Sequence, residues 1–296
     1  ASELEFGVDL GMFDNRVTLE ATYYNKEVRD LILDLEPAES VGVGAIATNA
    51  ADLTNRGVEL ALGFSPVRST NFDWYSKVMW WRTVSEITRL DIPTFTTGGF
   101  GNSLGTYLIA ENYSPTTIVG NPSGTNIPGG LTVYGDRQPD FTMTFFNQIN
   151  FLQNFDLNFL FHWQSGGEAI NLSALLWDLG GTTPGWDEDS DGDGTLNGPA
   201  RIGEWAGGNT GVFIEPTDYV KLRELGLYYT FPQGVLPDLV ERLKLGFSIN
   251  NMLLWTDYGS YDPEVSNFGA QPISGNIEVT PFPSSRRFFF HVKMDF

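Results

Sequence analysis

The chain ends in Phe288-Phe-Phe-His-Val-Lys-Met-Asp-Phe296, which puts Phe288, Phe290, Val292, Met294 and Phe296 on one parity and His291, Lys293 and Asp295 on the other. A period of two with one oily and one wet side belongs to a β-strand whose two faces meet different solvents. The pattern recurs in Arg16–Lys26, where Val17, Leu19, Ala21 and Tyr23 oppose Thr18, Glu20 and Thr22. It recurs again at Val58/Leu60/Leu62/Phe64, Phe141/Met143/Phe145, Phe155/Leu157/Phe159/Phe161/Trp163 and Leu243/Leu245/Phe247/Ile249. These runs reach about nine residues or more, which at a tilt near 45° suits a hydrocarbon slab. Strands of a soluble sandwich are shorter, about 5–6 residues. No apolar run approaches the roughly 18 residues of a membrane helix.

The alternation predicts an all-β chain of nine antiparallel strands at about 3–12, 16–34, 55–65, 72–91, 137–150, 155–165, 217–231, 242–255 and 286–296. The connectors at 13–16, 65–71 and 151–154 are tight, whereas those at 35–54, 92–136, 166–216 and 256–285 are long. Short turns on one side and long loops on the other are the layout of an outer-membrane barrel. Tyr23, Tyr24, Trp74, Tyr75, Trp80, Trp81, Trp163, Tyr228, Tyr229 and Trp255 are candidates for its interfacial girdles. Closing nine strands on themselves would create a parallel seam, and leaving them open would bare two edges in lipid. The remaining strands are therefore expected from elsewhere. In Tyr219–Phe231, Val220 and Leu222 share a parity that Leu225, Leu227 and Tyr229 do not, so either a β-bulge near Arg223-Glu224 or a misplaced strand start is expected.

Asp and Glu outnumber Lys and Arg by 37 to 17, a formal charge of −20 that repels polyphosphates and argues against nucleic-acid binding. With no cysteine there is neither a disulfide framework nor thiolate chemistry. The opening Ala1-Ser-Glu-Leu4 shows no basic and no apolar leader, so an export signal was removed or the true N-terminus lies upstream.

Several blocks resemble SusC/RagA-type TonB-dependent transporters. They are Phe6–Arg16 leading to Tyr23-Tyr24-Asn25-Lys26, Asn49 to Leu60 with Asn55-Arg56-Gly57, and Gly135-Asp136-Arg137-Gln138-Pro139-Asp140 before a Phe-rich strand. Gly166-Gly167 with Asn171, Tyr219-Val220-Lys221-Leu222-Arg223 running to Pro232, Asn250-Asn251 to Thr256, Asp262-Pro263-Glu264 and the terminal Phe296 complete the set. Each block alone is weak, and their order across nearly the whole chain is specific. The resemblance implies the C-terminal part of a barrel of about 22 strands, with the plug domain, the first barrel strands and the TonB-contacting segment outside this chain. It also implies import of glycans or peptides, energised by the TonB complex, with a SusD-like surface lipoprotein as lid. The acidic insertion near residues 187–197 departs from the usual pattern.

That insertion, Asp187-Glu-Asp-Ser-Asp-Gly-Asp-Gly-Thr-Leu-Asn197, spaces carboxylates as a Ca²⁺ loop does, with Asp187, Asp189, Asp191, Asp193 and Asn197 as candidate ligands. A solvated acidic loop is the competing reading, and no Glu occupies the twelfth position of an EF-hand. Trp177, Trp186, Trp205, Tyr258 and Tyr261 are candidate substrate contacts, since flat apolar faces stack on sugars or peptide side chains; packing of the loops against one another is the plainer explanation. Catalysis finds little support: His162 and His291 read as barrel-lining polar residues, and Asp262/Glu264 is a chance carboxylate pair in so acidic a chain. The alternative to a transporter is a secreted all-β carbohydrate-binding or adhesion protein with a Ca²⁺ loop. A glycoside hydrolase on a β scaffold is a third option.

Overall fold

The computed structural model describes the chain except residues 36–45, 98–105, 121–130, 208 and 265–276. The elements in chain order are β1 (Ser2–Met12), β2 (Val17–Leu35), β3 (Ile46–Arg68), β4 (Phe72–Leu90), β5 (Phe95–Thr97), β6 (Thr106–Ile109), β7 (Thr117–Gly120) and β8 (Thr132–Asp136). They continue with β9 (Phe141–Phe151), β10 (Phe155–Ser165), β11 (Glu168–Asn171), α1 (Leu172–Leu179), α2 (Asn197–Ala206), β12 (Ile214–Pro216), β13 (Tyr219–Thr230), β14 (Arg242–Thr256), β15 (Ile277–Glu278) and β16 (Arg287–Asp295).

Nine of these strands form one antiparallel sheet in the order β1-β2-β3-β4-β9-β10-β13-β14-β16, the partial barrel that the alternation predicts. β1 and β16 are its edges. The registers Val17↔Phe64, Leu62↔Val78, Val78↔Phe145, Phe145↔Phe161 and Leu245↔Val292 carry one apolar face across it. The opposite face carries Glu20, Glu59, Lys77, Gln148, Asn158, His162, Lys221 and Lys244. On this polar face side chains reach across an intervening strand. Tyr24 lies over Gly57, where an added Cβ would meet its ring, and bonds Thr83 on β4 at 2.8 Å. Lys77 of β4 pairs with Glu20 of β2 at 3.4 Å, and Lys244 of β14 pairs with Asp156 of β10.

The parity slip in β13 is a β-bulge. Leu222 pairs with Phe161 and Glu224 with Leu160, so Arg223 is the extra residue. On the other side β14 skips from Leu253 to Asn250, with Asn251 at φ 53°. The bulge returns Leu225 and Leu227 to the face that holds Val220 and Leu222; without it half the apolar residues of β13 would turn to the wet side.

Several expectations are corrected. β3 is far longer than 55–65, so the connector expected at 35–54 contracts to residues 36–45, outside the described residues. Tyr24, Tyr75, Trp81 and Tyr228 lie on the polar face, because in a strand adjacent residues point to opposite sides; their neighbours Tyr23, Trp74, Trp80 and Tyr229, with Trp163 and Trp255, are the girdle candidates on the apolar face. Trp80, Phe141, Trp163 and Trp255 mark the apolar face toward the long connectors, with Phe141 and Trp163 edge to face at 5.0 Å. Phe151, Phe155 and Tyr229 mark it toward the short turns, at 5.2 and 4.7 Å between successive rings. Phe155 and Trp163 are eight residues apart on β10, about 19 Å along the normal at 45° tilt, a spacing fit for an apolar band roughly 25 Å tall.

The long connectors are not bare loops. Among the described residues, β5-β6-β7-β8 form a four-stranded sheet and β12-β11-β15 a second small sheet. Between them Tyr107, Ile118, Ile170 and Leu172 are buried, with Ile214 and Val279 packed against them. Asn171 caps α1, its Oδ1 accepting from the Ala174 amide at 3.0 Å. Buried Asp178 takes two bonds from Arg201 at 2.6 and 2.7 Å, tying α1 to α2. Two helices were not legible in an all-β pattern, because each is at most ten residues long and lies among Gly and Asp.

Candidate functional site

Where the loop layer meets the polar face, β13 presents Tyr219, Lys221 and the bulged Arg223 to the segment Asp262-Pro263-Glu264. Lys221 Nζ donates to both Asp262 oxygens, at 2.8 and 3.0 Å, and to Glu264 Oε2 at 2.5 Å. Lys221 and Asp262 are both buried. Arg223 donates to Glu264 Oε1 and, at 2.7 Å, to His162 Nδ1; Tyr219 donates to Glu264 Oε1 at 2.6 Å. Because a guanidinium only donates, His162 Nδ1 accepts, and the ring is neutral with its proton on Nε2. Trp81 stacks on that ring at 6.1 Å. Burial alone would raise the Glu264 carboxyl, but the hydrogen bonds from Lys221 and Tyr219 and the charges of Lys221 and Arg223 outweigh it and hold Glu264 at about 2. Two cations and two carboxylates thus balance, as buried charges must.

A second link runs through the Gly135–Asp140 block. Gln138 donates to Thr83 O at 2.7 Å and accepts from the Ser85 amide at 2.9 Å, while Arg137 Nη2 donates to Pro263 O at 2.9 Å. Thr83, Ser85, Thr116, Arg137, Gln138 and Gln164, together with Pro115 and Pro139, line an open cavity of about 330 Å³ above the sheet. Deeper in the layer burial, aided by Glu278, raises Glu215, against hydrogen bonds from the Gly259 amide and Asn171. Tyr258 is raised by burial and by the same Glu278.

The candidate contact aromatics do not form one patch. Trp177 on α1 and Tyr261 meet edge to face at 5.4 Å and are partly open to solvent. Trp186 donates to Asp178 O at 2.9 Å and packs over Gly198, where a Cβ would strike its ring. Tyr258 is buried inside the loop layer, and Trp205 is half-buried on α2. In the acidic loop the carboxylates of Asp189, Asp191 and Asp193 lie within 4.8 Å of one another and are exposed, and Asp187 is outside that group. Asn197 holds the loop together, its Nδ2 donating to Gly185 O at 3.1 Å and to Ser190 Oγ at 2.8 Å. Lys221 and Arg223 entered the sequence analysis through the family resemblance and the parity slip, and Trp81 as a girdle candidate, but none of them as a member of this charged cluster. The parity slip at Arg223 was the signal, and the bulged residue's partner Glu264 lies 41 positions away.

The family model for the TonB dependent receptor-like β-barrel matches residues 1–252. TonB-dependent receptor P3 of Formosa agariphila is 25% identical over 355 residues, covering 100% of this chain and 34% of the relative. TonB-dependent receptor P26 of the same organism is 28% identical, covering 93% and 32%. This chain therefore spans about a third of the length of the curated relatives it matches. Among solved structures, the RagAB peptide importer superposes with a TM-score of 0.70 in its closed-closed state, at 18% identity over 99% of this chain and 35% of that one. Its open-open state gives 0.71 at 16% identity, over 99% and 34%. A sheet with one apolar face, a polar face under a folded loop layer and these relatives lead to one conclusion: the chain belongs to the TonB-dependent receptor family of outer-membrane β-barrels.

Proposed function

We propose that the chain is the C-terminal part of the wall and outer cover of a TonB-energised importer of peptides or glycans, and that it performs no catalysis itself. A plug domain and the first barrel strands, from a longer protein, complete the barrel between β1 and β16. The observation that carries this reading is the seating of the long connectors, as a packed layer, on the polar face of a sheet whose other face is apolar. That arrangement suits a wet lumen with an external vestibule. The long connectors then face the cell exterior, where a SusD-like lipoprotein closes over them, and the short turns face the periplasm. Trp177 and Tyr261, with the open cavity at Arg137 and Gln138, are the substrate contacts this chain supplies. The secreted-adhesin alternative loses its footing, since a sandwich would bury the large side chains that this sheet leaves exposed.

Uptake of labelled oligopeptides and oligosaccharides by cells with and without the full-length receptor tests the proposal. Loss of uptake of one class on deleting the receptor, and equally on deleting TonB, is the expected result. Unchanged uptake of both classes, or a full-length receptor that is soluble without detergent, would sink it.

We further propose that Asp189, Asp191 and Asp193 hold Ca²⁺ in the external loop. Their oxygens are close enough to share one ion, and Ca²⁺ accepts a mixed shell of carboxylates and water.

A further inference from the structure

We propose that Arg56 and Arg82 form a docking site for the phosphate of an outer-leaflet lipid on the lipid-facing side of the sheet, an inference that rests on the orientation proposed above. Tyr23 pairs with Val58 and Val58 with Arg82; in the next row toward the long connectors Asn25 pairs with Arg56 and Arg56 with Val84. Both arginines therefore share the parity of Leu60, Leu62 and Trp80, the apolar face, and both are exposed. Toward the turns that face continues with Leu60, Leu62 and Val78. Toward the long connectors it becomes polar, with Thr54 opposite Glu86. The pair thus stands on the row where hydrocarbon gives way to headgroups.

Arg56 and Arg82 occupy diagonal cross-strand positions on one face, roughly 7–8 Å apart or less, a span that one phosphate bridges with a guanidinium on either side. Neither has an acidic partner within 4 Å among the described residues. Lys26, Lys77, Arg89, Lys221 and Lys244 each have one, so these two guanidiniums, unlike those cations, are left without an anion supplied by the protein itself. The nearest acids on this face are otherwise placed: Glu27 is held by Arg29 at 2.7 Å, and Glu86 lies a row further out. Two unpaired, weakly hydrated cations above an apolar column attract an anion that brings its own apolar tail, and Tyr23 adds a hydroxyl on the same row. A free anion would leave the column Leu60, Leu62 and Val78 without a match, whereas the acyl chains of a lipid lie along it.

The test uses the full-length receptor extracted from outer membranes, with native mass spectrometry reading the lipid retained. The probes are lipid A bearing one phosphate, its dephosphorylated form, and inorganic phosphate alone. Retention of the phosphorylated lipid only is expected from the unaltered receptor. Arg56→Ala/Arg82→Ala should reduce it roughly thirtyfold, at about fivefold per basic residue near an anionic lipid surface. Arg56→Lys/Arg82→Lys should lose less, and Arg287→Ala, on the polar face, should retain lipid normally. Equal retention of both lipids, normal retention by the double alanine variant, or displacement of the lipid by millimolar inorganic phosphate would each overturn the proposal. A receptor missing from the outer-membrane fraction would instead overturn the underlying orientation, and fractionation reports that before any lipid is measured.

Discussion

The sheet and the loop layer use the same large hydrophobic residues in opposite ways. In the layer Tyr107 and Ile118 are 0% exposed, as in any water-soluble core, whereas on interior strands of the sheet Leu227 is 45% and Leu60 40% exposed. The difference is one of solvent. Water drives the layer to bury its apolar side chains against one another. Lipid is as apolar as leucine, so the sheet gains nothing by hiding its outer face and needs only to satisfy its backbone, which strand pairing does. Hence a chain with ordinary hydrophobic content yields a conventional core only in its connectors, and the polar seam between the two regions is where charges are buried.

Breaking that seam should have the largest effect. Lys221→Met leaves the buried Asp262 with uncompensated charge, while Glu264 keeps Arg223, and should weaken the attachment of residues 257–264 by about 3–5 kcal/mol. Faster proteolysis of that segment in a receptor that still runs as a folded barrel would show it. Adding Asp262→Leu alone should recover part of the loss, because it removes the stranded carboxylate and leaves the Arg223–Glu264 pair intact.

The sheet responds to a different insult. Leu157→Arg should cost up to about 2–4 kcal/mol and Leu60→Arg or Val292→Arg, on the rows of the girdle residues Trp80 and Tyr229, less, whereas Asn158→Arg on the polar face should cost least. The fraction resisting heat unfolding on a gel measures this; equal damage from Leu157→Arg and Asn158→Arg would mean that the two faces share one solvent.

Acid should separate the regions more gently. Glu264 is depressed from 4.5 to about 2, so its contribution is present above pH 4.5 and is lost as pH falls through about 2. Pepsin should therefore spare residues 257–264 at pH 4 and cut them near pH 2. Cleavage already complete at pH 4 would contradict the pairing with Lys221 and Arg223.

The smallest effect is expected at the acidic loop. Millimolar Ca²⁺ should slow proteolysis between Asp187 and Asn197, and Asp189→Asn/Asp191→Asn should remove that protection without altering the barrel, since no residue of the nine-stranded sheet is touched. Identical cleavage with Ca²⁺ and with chelator would leave a merely solvated loop.

The strands of the sheet were legible because each carries its own solvent pattern. Phe288 to Phe296 or Phe155 to Trp163 needs no partner to show which side is oily, and even the bulge at Arg223 appeared as a slip of parity. Blocks such as Tyr23-Tyr24-Asn25-Lys26 and Asn55-Arg56-Gly57 carried the family resemblance. Adjacent aromatics were harder: Tyr23 and Tyr24, or Trp80 and Trp81, look alike in composition, and only the pairing register separates the outward member from the inward one.

The loop layer and its charged seam could not be read in advance. β6, β7, β11 and β15 are two to four residues long, too short for any period, and they become strands only because distant segments supply their hydrogen bonds. Lys221 is an ordinary polar-face lysine until Asp262 and Glu264 arrive from some forty residues away, and Tyr258 is a loop aromatic until the small sheets close over it. The sequence alone determined which solvent each strand face meets, since that preference belongs to the side chains themselves. The tertiary structure decided which connectors pack together and which charges meet beneath them, because burial and pairing depend on neighbours that the local chain does not contain.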